Sequence, residues 1–127
     1  MQLAQVEWDS TNVTQHNNGY AYYNGGCAFR WSPDLNACQV LARYHDLVDK
    51  PAAVVECAVG KGKAILSGVH FEIGHHFFPF FSITRPNVYQ QLKRNEPYQL
   101  ASLNRILRHL DIKVTSELDI MSNQVSI

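Results

Sequence analysis

The sequence has no excess of either charge: eleven Lys and Arg are balanced by eleven Asp and Glu, and no run of like charge disturbs the balance. Without a basic patch there is no electrostatic footprint for nucleic acid or for an anionic membrane surface. Long apolar runs are missing as well. No stretch approaches the roughly 18 uninterrupted apolar residues of a bilayer-spanning helix, and the opening MQLAQVEWDS has neither the basic flank nor the apolar centre of a signal peptide. These absences predict a cytoplasmic protein whose partners are proteins or small molecules, not nucleic acid or membrane. Cysteine is scarce and odd in number. Cys27, Cys38 and Cys57 show no disulfide-framework or zinc-ligand spacing and each has apolar neighbours, so three buried, reduced thiols are expected. Repeats, linkers and low-complexity tracts are also lacking, and residues 1–127 read as one domain.

What is present is an ordinary globular composition, 46% hydrophobic, which can build a core. Leu3 to Trp8 alternates apolar and polar as a half-buried strand does, and the following DSTNVTQHNNG is a polar loop. Gly19 to Tyr23 runs into an Asn24-Gly25-Gly26 turn, with CAFRW after it as a second short strand. Leu35 to Val48 fits either a helical face or a strand, and a strand over its second half is the preferred reading. Ala52 to Val59 and Lys63 to Val69 are near-continuous apolar strands joined by a Gly60-Lys61-Gly62 hairpin. That glycine turn lacks the length and the following helix of a phosphate-binding loop.

Phe77, Phe78, Phe80 and Phe81 form an aromatic cluster read as core, with a contact surface as the alternative. Pro86 to Lys93 predicts a short helix. Glu96-Pro97 opens a longer one, whose stripe of Leu100, Leu103, Ile106, Leu107 and Leu110 has helical spacing and ends near Asp111. Beyond Lys113 one strand is expected before a fraying end.

Chemistry concentrates at His70 and Glu72. Residues two apart on an extended segment face the same way, so imidazole and carboxylate can pair as a base and the group that orients it. The same two residues with His75 and His76 supply four ligand-type side chains within a short span, which suits zinc or another first-row ion. Adjacent histidines on an extended chain point apart, so hydrogen-bonded structural roles compete with that metal reading, and no cofactor is predicted.

The run Gly60-Lys61-Gly62-Lys63-Ala64-Ile65-Leu66-Ser67-Gly68-Val69-His70-Phe71-Glu72 resembles the G-K-G-x-x-x-L-[ST]-G-x-H-x-E segment of the glutamine-amidotransferase-like N-terminal domain of biotin-protein ligases. Tyr22-Tyr23-Asn24-Gly25-Gly26 is similar to that family's Y-Y-N-G-G, and Val40 to Tyr44 followed by Ala52 to Val55 agrees in order. The resemblance implies an α/β fold with a mixed β-sheet and flanking helices, part of a flavodoxin-like, class I glutamine-amidotransferase-like domain. It places His70 and Glu72 at the family's base and orienter positions, and Tyr23, Asn24, Gly25 and Gly26 beside a ligand cleft. The family's nucleophile lies in a G-x-C-x-G elbow upstream of Y-Y-N-G-G, so the expectation is a domain incomplete at its N-terminal side. Cys27, in Gly25-Gly26-Cys27-Ala28-Phe29, is the local substitute.

The ligase's biotin and nucleotide motifs are not in these residues, and biotinylation is not predicted from them. The leading expectation is a non-catalytic module that binds a protein partner, a second copy of itself or a small ligand. The alternatives are a Cys-His-Glu hydrolase or amidotransferase, completed by Cys27 or by a partner chain, and a metal-binding module through His70, Glu72, His75 and His76.

Overall fold

The computed structural model describes residues 2–9, 17–30, 37–77 and 80–113. Five strands form one sheet: β1 (Gln2–Trp8), β2 (Asn18–Tyr23), β3 (Cys38–Tyr44), β4 (Ala52–Val59) and β5 (Gly62–Ser67), in the spatial order β2-β1-β3-β4-β5. A 3-10 turn, His75–Phe77, leads to helices α1 (Phe81–Thr84), α2 (Pro86–Arg94) and α3 (Glu96–His109). The two long apolar runs and their glycine hairpin stand where the sequence puts them, with Gly60 at φ 57°. The ambiguous segment before them resolves as strand β3.

Three expectations are corrected. The sheet is not mixed: every strand pair among the described residues is antiparallel. Among the described residues no helix lies between strands, whereas a parallel, doubly wound sheet requires helical crossovers, and the described helices all follow the last strand. The Cys27 to Trp31 segment is not a strand where described; only Phe29 makes an isolated bridge, to Ala52. Cys38 and Cys57 are not separate thiols but a disulfide linking β3 to β4, and Cys27 is exposed. Spacing along the chain could not reveal this pairing, because strand register sets Cys38 opposite Cys57. Their Cα atoms are 4.2 Å apart, as in a non-hydrogen-bonded antiparallel pair, and the Ala58 N–H bonds Ala37 O beside them. The strand expected after Lys113 lies outside the described residues, as does most of the loop after Trp8.

The core lies between one face of the sheet and α3. Val6, Trp8, Ala21, Leu41, Ala42, Tyr44, Ala53 and Val54 supply the sheet side, with Val69, Phe71 and Tyr98 packed onto it. Trp8 Nε1 donates to Ser102 Oγ at 2.9 Å, and Tyr98 Oη donates to Val6 O at 2.7 Å. These buried bonds dock α3 on the sheet through its polar anchors, while its leucine stripe is only half-buried. Burying an aromatic such as Phe71 contributes about 1.5–3 kcal/mol from apolar area alone. The edge strand β2 is capped by Asn95, whose side chain accepts from Tyr20 N at 2.9 Å and donates to Tyr20 O. The sheet curls, so that His70, beyond β5, donates its backbone N–H to Tyr22 O of β2 at 2.8 Å. The aromatic cluster does not behave as core where it is described: Phe77 and Phe80 are 65% and 74% exposed.

Candidate functional site

The curl unites the two sequence motifs. After β5, Val69 and Phe71 turn inward, each nearly buried, and this alternation turns His70 and Glu72 outward. Phe71 is fixed by Trp8 and Tyr98, with ring centroids 5.6 and 6.2 Å away, and its carbonyl accepts from Gln99 Nε2 at 2.9 Å. His70 Nδ1 therefore meets Glu72 Oε1 at 2.8 Å, the orientation expected of a base and its partner. Both side chains are solvent-accessible, at 40% and 61%. The His70 ring also lies beside Tyr22, at 5.8 Å between centroids.

The Y-Y-N-G-G turn folds back onto the same segment. Tyr23 Oη donates to Gly26 O at 2.9 Å, and Tyr44 Oη donates to Cys27 O at 2.6 Å. Gly26 and Gly68 pass so closely that a Cβ on Gly26 would lie 1.9 Å from Gly68 O, and one on Gly68 would lie 2.0 Å from Cys27 O. The glycines of the two motifs are thus required by contact with each other. Tyr44 is pushed up to about 12, first by burial and then by its neighbours Tyr23, Cys27 and Asp46. It stays a hydrogen-bond donor at neutral pH.

Cys27 faces a cleft of about 220 Å³, lined also by Tyr23, Ala28, Tyr44, Asp46 and Leu47. Neither His70 nor Glu72 lines it. Asn24 and Gly25 are exposed on the turn, and Gly26 is half-buried against Gly68. Among the described residues, no thiol or hydroxyl is hydrogen-bonded to the His70 ring. A wider depression of about 500 Å³, between Phe29, Arg30, Arg43 and Asp49, is lined by none of the candidate site residues.

The four-residue metal set does not assemble. His70 and Glu72 are paired with each other, whereas His75 and His76 turn toward Glu96 on α3. The extended-chain argument that neighbouring histidines diverge fails here because His75 opens a 3-10 turn, which stacks the two rings at 3.7 Å. His75 is 5% exposed and its pKa is lowered, by burial first and then by His76 and Lys93, with Glu96 opposing. Along the sequence Glu96 reads only as the start of a helix, and its distance from His75 in the chain hides the contact.

The family described as "Biotin-protein ligase, N terminal" matches residues 1–127. An uncharacterized protein of Chlamydia muridarum is 33% identical over 99 residues, covering 72% of this chain and 37% of that protein. A biotin–protein ligase of Schizosaccharomyces pombe is 31% identical over 99 residues, covering 77% of this chain and 14% of the ligase. The chain therefore matches only a minor part of the length of each relative. No solved structure matches it. No helix among the described residues is long and apolar enough to cross a membrane. With the family match extending over every residue that builds the joined motifs, the chain belongs to the biotin-protein ligase N-terminal family.

Proposed function

We propose that this chain is a binding module associated with biotin-protein ligation, amidotransferase-like in its H-x-E segment but without turnover of its own. The observation that carries the reading is the His70–Glu72 pair: a base and its orienting carboxylate 2.8 Å apart, with no nucleophile hydrogen-bonded to the imidazole among the described residues. Nucleophilic catalysis needs that third contact, because a thiol or hydroxyl is activated by proton transfer to the base. Cys27 is exposed beside a separate cleft instead. The cleft, at about 220 Å³, is smaller than the usual small-molecule site and suits an apolar side chain of a protein partner held beside Asp46. Among the described residues β5 has a strand on one side only, with its Leu66 exposed, which supports pairing with a second copy or another chain.

The test is turnover. Purified protein is expected to show no glutaminase or esterase activity, and His70→Ala is expected to leave the fold intact. Activity that His70→Ala abolishes while the circular dichroism is unchanged would refute the reading and establish the Cys-His-Glu alternative. Cys27→Ala would then separate a local nucleophile from one supplied by a partner.

A further inference from the structure

His75, His76 and Glu96 converge in a way that neither the fold nor the His70–Glu72 pair explains. His75 is 5% exposed, yet among the described residues its Nδ1 has no hydrogen-bond partner. Leaving a buried polar nitrogen unpaired costs about 1–3 kcal/mol, so such an atom calls for a partner. Glu96 Oε2 is 3.8 Å from it, too far for a hydrogen bond. The other carboxylate oxygen, Oε1, is 3.8 Å from His76 Nε2. One ligand atom from each of the three residues lies within 4.8 Å of the others.

We propose that His75, His76 and Glu96 form a binding site for a divalent first-row transition ion of the zinc class. Ligand bonds of about 2.0–2.1 Å in a tetrahedral shell set donor atoms roughly 3.3 Å apart. Each imidazole stands 3.8 Å from its own Glu96 oxygen and the three donors lie within 4.8 Å of one another, so side-chain rotation has to draw them together to reach that spacing. Two neutral imidazoles and one carboxylate match the preference of these ions for nitrogen and harder oxygen donors, with one positive charge left on the site. Three protein ligands leave a position for water or an exogenous group. That position is reachable from solvent, because the His76 side chain is 51% exposed while His75 is covered. Tyr89 sets its ring edge-on to His75 at 5.6 Å, limiting the directions in which the buried imidazole can rotate. Bound metal would tie the 3-10 turn to the first residue of α3, joining the segment after His70–Glu72 to the helix that closes the core.

The inference is independent of the proposed binding function and is tested on the intact chain after chelator treatment, with zinc alone as the probe. Competition against a chromophoric chelator is expected to give one ion per chain and a zinc-dependent rise in melting temperature. His76→Ala and Glu96→Gln, both at accessible or half-buried positions, should each weaken binding by more than the roughly 10- to 100-fold that loss of a supporting contact costs. They should also abolish the melting shift, with near-native circular dichroism. His70→Ala should bind zinc as the parent does. Failure of the parent to compete with the chelator would overturn the proposal. So would stoichiometric binding that survives both His76→Ala and Glu96→Gln, or binding that His70→Ala removes. None of these outcomes depends on whether the chain has turnover.

Discussion

Two histidine-carboxylate groups lie a few residues apart, and they differ in how far their surroundings satisfy them. His70 and Glu72 are neighbours along an extended segment, meet at 2.8 Å and remain accessible to water. His75, His76 and Glu96 come from two elements, with each imidazole 3.8 Å from a Glu96 oxygen and, among the described residues, one buried ring nitrogen unpartnered. The first group is complete in itself and solvent-screened. The second holds an unmet demand in a drier place, and that difference makes it the better ligand site even though the first has the more recognisable motif.

The largest effect that would sharpen this contrast is expected from Phe71→Ala. Phe71 separates His70 from Glu72 and packs between Trp8 and Tyr98, so the loss should reach about 3–5 kcal/mol in urea unfolding. A loss under about 1 kcal/mol would mean that the outward pair is not held by the core. Tyr98→Phe comes next. It removes a buried hydroxyl bond to Val6 O and should cost about 1–3 kcal/mol, loosening the helix that carries Glu96. An unchanged midpoint would detach the second group from the docking of α3.

Alkali tests the clamp between the motifs. Tyr44 titrates near 10 when unfolded and is pushed up to about 12 when folded, so the unfolded chain loses its proton first. Its contribution is present in full below pH 10 and is lost as pH rises from there through about 12. Unfolding at graded pH should show this decline, and Tyr44→Phe should be less steep across the same window; equal slopes would mean that Tyr44 does not hold the Cys27 carbonyl. The smallest change is expected from His70→Ala, about 0–1 kcal/mol, because exposed ion pairs contribute little. A loss above 2–3 kcal/mol by urea titration, on the scale of buried pairs, would erase the distinction between the two groups.

Much of this was legible in the residues. The alternation of Leu3 to Trp8, the apolar runs flanking Gly60 and the Pro-led helices appear where expected, because period and turn chemistry act within a few positions. The meeting of His70 with Glu72 was legible for the same reason. Glu96 was not, since its partner His75 is brought to it by docking of α3. Nor was the Cys38–Cys57 bond, which follows from cross-strand register, or the exposure of Phe77 and Phe80, which depends on what packs over them.

The sequence by itself determined the strands, the hairpin, the helices and the outward H-x-E pair, all products of local steric preference and apolar period. Only the tertiary structure decided that the sheet is antiparallel and curled, that Gly26 lies against Gly68, that Cys27 faces a cleft apart from His70, and that His75 and His76 turn to Glu96. Those outcomes depend on contacts between distant positions, where packing of the assembled core, rather than any local preference, sets which side chains meet.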